Sequence, residues 1–138
     1  MITSELSELI EDRDVLTANP LLTVLEATRI MADKHVGAVV IVDDGKVVGI
    51  FTERDLVVRV IGAGLSPAET SLSDVMTPSP QTVGLTQSVE EVMAWMLSGR
   101  FRHLPVVEND TLIGLVSQGD VMAYLHERLY GAQDSTPA

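Results

Sequence analysis

Two short segments of the chain carry the same chemistry. Thr52-Glu53-Arg54-Asp55 and Ser117-Gln118-Gly119-Asp120 each place a hydroxyl three residues ahead of a carboxylate. An ionised carboxylate only accepts hydrogen bonds, so at the start of a helix it suits a ligand that donates paired O–H groups. A plain helix cap explains the same pattern, because Ser or Thr followed three residues later by an acid is a capping arrangement. A third cluster is basic: Arg100, Arg102 and His103. A guanidinium presents fork donors to a phosphate, and an imidazole adds another donor. The bland alternative is a surface cluster paired with Glu108 or Asp110.

That basic cluster stands out against the rest of the chain. Nine Lys and Arg face twenty Asp and Glu over 138 residues, a formal charge of −11. Such a field repels a nucleic-acid backbone and an anionic membrane surface, so neither is expected as a partner. It does not exclude one small anion held at a local cluster. There is no cysteine, which removes disulfides, thiolate metal sites and cysteine nucleophiles. His35, His103 and His126 have no metal-ligand spacing, and no Gly-x-Ser-x-Gly elbow, P-loop or dinucleotide fingerprint is present. No metal and no catalysis are therefore expected. The opening residues lack a signal peptide, and no apolar run reaches the roughly 20 residues of a membrane span. A cytoplasmic location is the expectation.

The elements that must position these residues come in two copies. Gly49-Ile50-Phe51-Thr52-Glu53-Arg54-Asp55-Leu56 aligns with Gly114-Leu115-Val116-Ser117-Gln118-Gly119-Asp120-Val121 at an offset of 65 residues, without a gap from Thr23 to Val121. Upstream, Asp14-Val15-Leu16-Thr17 matches Asp74-Val75-Met76-Thr77 at an offset of 60, so the second copy holds five extra residues around Gln81 to Thr86. In each copy a capped helix begins after Thr23 or Ser88, with apolar residues at helical spacing. A hairpin follows through Val39–Val42 and Val47–Phe51, or Leu104–Val107 and Leu112–Val116. Its turns are Asp43–Lys46 and Glu108–Thr111, where Asp44-Gly45 is a strong hairpin signal. A second helix starts at Glu53 or Gln118, and an extra strand precedes the first helix. Hydrophobic residues are 46% of the chain, enough for a core that two small units share. The units are placed at 1–70, with an N-terminal helical segment, and 71–130, followed by a flexible tail at 131–138.

The Gly-φ-φ-Thr/Ser-x-x-Asp segments, Asp74-Val75-Met76-Thr77 and Arg102-His103-Leu104-Pro105-Val106-Val107 together resemble the cystathionine-β-synthase (CBS) domain, here as a tandem pair or Bateman module. The resemblance covers about residues 10 to 130. It implies an α/β (α+β) fold of two pseudo-twofold units, each a small sheet packed with two helices. It also implies a stand-alone, non-catalytic regulatory module that acts on a separate partner, with no obligatory cofactor. The implied regulatory ligand is AMP, ADP, ATP, S-adenosylmethionine or an NAD-type molecule. Carried onto this sequence, Asp120 holds the ribose and Ser117 a phosphate oxygen or the ribose. Arg102 and His103 hold phosphate and Thr82 reaches the base and ribose, while Val83, Leu104, Pro105 and Val116 are candidates for the apolar slot an adenine needs, with ordinary core as the plain alternative. The matching first-copy set is Thr52, Asp55, Gly37 and Ala38, where Gly37 and Ala38 stand opposite Arg102 and His103. The second-copy site is therefore expected to be the stronger. A homodimer through the closing helices is expected too. The alternative is a ligand-independent dimerisation scaffold.

Overall fold

The computed structural model describes residues 5–10 and 15–131. Asp14 and the expected tail beyond Gly131 lie outside the described residues. The chain runs α1 (Glu5–Ile10), β1 (Thr17–Ala18), α2 (Val24–Lys34), β2 (Ala38–Asp43), β3 (Lys46–Thr52) and α3 (Glu53–Asp55), which widens into a π-helical stretch at Leu56–Ile61. After a 3-10 turn at Pro67–Glu69 come α4 (Leu72–Val75), β4 (Thr77–Pro78), α5 (Val89–Gly99), β5 (His103–Glu108), β6 (Thr111–Ser117) and α6 (Gln118–Tyr130). The expected α/β architecture, with one hairpin per repeat and a helix on either side of it, is the observed one.

The repeated local signals act the same way twice. Thr23 and Ser88 cap α2 and α5, each accepting at 3.1 Å from the N–H three residues on. Both hairpins turn on two residues with positive φ, Asp44-Gly45 and Asn109-Asp110, as the twist of a two-residue loop requires. Both carry a register shift at equivalent positions, Ile41/Val42 and Val106/Val107. One residue breaks the likeness. Val40 donates its N–H to Leu16 O at 3.0 Å, which anchors β1 along β2. The equivalent residue in the second repeat is Pro105, which has no N–H. There the strand shrinks to a bridge at Val83↔Val106.

The packing crosses the sequence boundary between the repeats. Leu6 of α1 is fully buried among Val83, Val89, Val92, Met96 and Leu104, all from the second repeat. Leu72 and Val75 of α4 are buried with Val24, Met31, Ile41 and Phe51 of the first. β4 extends the first repeat's sheet, giving the order β1-β2-β3-β4, while among the described residues β5 and β6 form a two-stranded sheet with the bridge at Val83 beside it. Backbone bonds fix α4 there: Leu72 donates to Leu22 O and Ser73 to Pro20 O, both at 2.9 Å. Two equivalent glycines make room for the exchange. A Cβ on Gly49 would stand inside the Met76 side chain, and one on Gly114 would meet Ile10 Cγ2 at 2.7 Å. Residues 79–82 connect β4, on the first repeat's sheet, to Val83, which bridges to β5 of the second.

Because each core includes a segment from the other repeat, damage to either exchange point destabilises the whole chain. Leu72→Ala is expected to cost about 2–5 kcal/mol, and Gly114→Val about 1–3 kcal/mol. Both are read by urea unfolding, each as a single transition. An unchanged midpoint for both variants would contradict the exchanged packing.

Candidate functional site

Thr52 and Ser117 end their strands in extended conformation and open the next helix. Asp55 Oδ2 accepts from the Thr52 N–H at 2.9 Å and from Thr52 Oγ1 at 3.2 Å, and the Asp55 N–H donates back to Oγ1 at 3.3 Å. Asp120 Oδ2 accepts from the Ser117 N–H at 2.9 Å, and the Asp120 N–H donates to Ser117 Oγ at 3.0 Å. Both pairs are thus complete capping boxes. At Asp55 the two bonds to one oxygen set the plane of the carboxylate, while Asp120 Oδ2 is held by the bond from the Ser117 N–H. Asp55 is 7% exposed. Its other oxygen lies 3.6 Å from Arg59 Nε, and Arg59 NH1 reaches Met76 O at 3.0 Å. Arg59 therefore ties this carboxylate to the exchanged segment.

Each capped helix faces the other repeat. The Thr52–Asp55 end opens on a cavity of about 390 Å³, which is also lined by Arg100, Phe101, Arg102 and His103 of the second repeat. The Ser117–Asp120 end opens on a cavity of about 270 Å³ lined by His35, Val36, Gly37 and Ala38 of the first, with Val15 and Leu16. The larger of the two is within the usual range for small-molecule sites. The approach segments are equivalent at the offset of 65, and both leave their helix through a left-handed cap, His35 at φ 55° and Arg100 at φ 59°. Each then accepts one bond from the facing strand–helix corner of its own repeat: Glu53 N–H to Gly37 O at 3.0 Å and Gln118 N–H to Arg102 O at 2.8 Å. A Cβ on Gly37 would meet the carboxylate end of the Glu53 side chain, which would have to move aside.

The sites expected from sequence are therefore dealt out differently. Arg102 shares a cleft with Thr52 and Asp55, while Gly37 and Ala38 share one with Ser117 and Asp120. Gly37 and His103 line both. Leu104 is 1% exposed within the second core, and Pro105 is buried with its C=O accepting from the Val83 N–H at 3.0 Å. Thr82 is half-buried and lies beside the arginine-lined cleft's Gln81, whose side-chain amide donates to Thr82 O. Leu104, Pro105 and Thr82 line neither cleft. Sequence reasoning passed over Arg54, Phe101 and Gln81, which line the arginine-lined cleft. Arg54 lies inside the first motif and Phe101 between the two arginines, so position in the motifs was the available signal.

His103 is the one titratable group in the clefts with a clear perturbation among the described residues. Burial lowers its pKa below the ordinary 6.5, with Arg102 acting in the same direction and Asp120 and Glu53 opposing. Its Nδ1 is buried without a hydrogen-bond partner. No group of three or more His, Asp or Glu is placed to hold a metal, and no helix is long and apolar enough to cross a membrane, among the described residues.

The family model described as the CBS domain matches this chain twice, at residues 6–62 and 72–127. The chain belongs to the CBS-domain family. The CBS pair is 45% identical over 96 residues to the meiotically up-regulated gene 70 protein of Schizosaccharomyces pombe, covering 69% of this chain and 13% of that protein's length. It is 41% identical over 116 residues to the protein YlbB of Bacillus subtilis, covering 79% of this chain and 78% of YlbB. A solved CBS-domain structure from Burkholderia ambifaria MC40-6 superposes with a TM-score of 0.84 at 31% identity, covering 96% of this chain and 98% of that one. CBSX2, solved in complex with AMP, shares the fold with a TM-score of 0.74 at 24% identity, covering 88% of this chain and 95% of that one.

Proposed function

We propose that this CBS pair is a non-catalytic regulatory module that binds an adenosine nucleotide and passes the bound state to a separate protein. The observation that carries the reading is the meeting of Asp55 with Arg100 and Arg102 in one cleft built from both repeats. A carboxylate fixed by its cap accepts the two hydroxyls of a ribose, and arginines across the cleft face the phosphate of the same molecule. In a chain of net charge −11, this is where an anion finds donors. AMP, ADP and ATP have both groups, and S-adenosylmethionine and NAD-type ligands have at least the diol. That CBSX2 was solved with AMP supports AMP as the first ligand to try. The ranking that follows places the Asp55 cleft first and the Asp120 cleft second, the reverse of the order read from sequence. Among the described residues, the Asp120 cleft is lined by His35 and His103 but by no Lys or Arg.

Calorimetry against AMP, ADP, ATP, S-adenosylmethionine and NADH tests the reading. Asp55→Ala is expected to weaken binding about 10- to 150-fold, the worth of a charge-assisted hydrogen bond, and Asp120→Ala less. A greater loss in Asp120→Ala would restore the sequence ranking. No binding at millimolar ligand, with no rise in melting temperature, would leave the complete capping boxes as purely structural and favour a scaffold.

We also propose a homodimer. Val57, Val58 and Ile61, at 63%, 57% and 58% exposure, and Met122 and Leu129, at 58% and 68%, leave both closing helices with uncovered apolar side chains. Sedimentation at micromolar concentration should give twice the chain mass, and Val58→Glu should give the monomer. A wild-type monomer overturns this proposal.

A further inference from the structure

The two clefts are not separated by backbone alone. His103 lines both, and its equivalent in the first repeat is Ala38, which lines only one. Where the first repeat ends its approach segment in a methyl group, the second has an imidazole long enough to reach the neighbouring cleft. In the arginine-lined cleft the charged neighbours of His103 are Glu53, Asp55, Arg54, Arg59, Arg100 and Arg102. In the smaller cleft Asp120 and His35 are the titratable groups. A buried Nδ1 with no partner is costly to leave unsatisfied, and a ligand acceptor in either cleft would relieve it. Burial keeps the imidazole neutral near pH 7 in the empty protein.

We propose that His103 is a proton-linked coupler between the two clefts. An anionic group seated in either cleft draws a proton onto the imidazole, and the resulting imidazolium is presented to the other cleft as well. The first anion meets the cost of charging a buried group, and the second finds it already charged. Anions in the two clefts thus help one another, by the same factor in either order. The sign of the pH dependence follows. The empty protein holds His103 neutral down to a pH below 6.5, while the loaded protein holds the proton to a higher pH. Binding takes up a proton between those values and strengthens as pH falls through that window. Above it, the coupling fades. The inference rests on the nucleotide reading of the arginine-lined cleft, and the experiment below separates the two.

The imidazole resonances of His103 are followed against pH by NMR, with and without saturating AMP. Asp120→Ala and Asp55→Ala isolate the two clefts, and each variant is compared with itself so that its own charge change cancels. In both variants AMP should raise the His103 midpoint by about one unit, equivalent to a tenfold preference for the protonated form. In wild type, AMP binding at pH 7 should take up a proton fraction that His103→Gln abolishes. That comparison also removes any contribution from the AMP phosphate. A His103 midpoint unmoved by saturating AMP in either variant, or AMP bound in only one cleft, overturns the coupling and leaves the nucleotide reading intact. Failure of AMP and every other nucleotide to bind the wild type overturns both.

Discussion

Leu6 and Leu72 are each buried in a core whose other members come largely from the opposite repeat. A repeat of about 60 residues has too little surface to bury to be comfortably stable alone. Here each one is completed by the opening segment of its twin. Gly49 and Gly114 are the points of closest approach, since no side chain fits between their strands and the incoming Met76 and Ile10. Arg59 then couples this exchange to the site, joining Asp55 to the carbonyl of Met76. The carboxylate that faces the larger cleft is thereby held by the same segment that closes the first core.

The exchange also decides which residues can act together. With the repeats docked so that each strand–helix corner faces the other's approach segment, every cleft is made from both halves of the chain. In the larger cleft Arg100 and Arg102 of the second repeat join Arg54 and Arg59 of the first around Asp55. A ligand seated across such a cleft would touch both repeats. That supports the proposed regulatory role, since a ligand shifts an equilibrium only by making different contacts in its two states.

Much of the fold was legible in the sequence, because caps, turns and strand patterns are local and appear twice. Thr23, Ser88, Asp44-Gly45 and the runs around Val39 and Val106 each act through neighbours a few residues away. The exchange of α1 and α4 was not legible. A buried Leu reads the same whichever core it fills, and nothing near Leu6 marks its partners as Val89 and Leu104. The site suffered the same loss. Aligning the repeats pairs Gly37 with Arg102 as equivalents, which invites grouping Arg102 with Asp120 of its own copy. Docking about a pseudo-twofold instead brings together positions that are not equivalent, so Arg102 faces the cleft of Asp55. Pro105 shows the complementary case. Its missing N–H predicts a weakened strand partner, and the bridge at Val83 is what remains.

In the proposed function, the carboxylate of one repeat and the arginines of the other hold the two ends of a single nucleotide. A crystal structure of the protein grown with AMP distinguishes the two clefts. Density for AMP is expected in the larger cleft, with the ribose hydroxyls on Asp55 and the phosphate at Arg100 and Arg102. AMP found with its ribose on Asp120, and the arginine-lined cleft empty beside it, would overturn that arrangement.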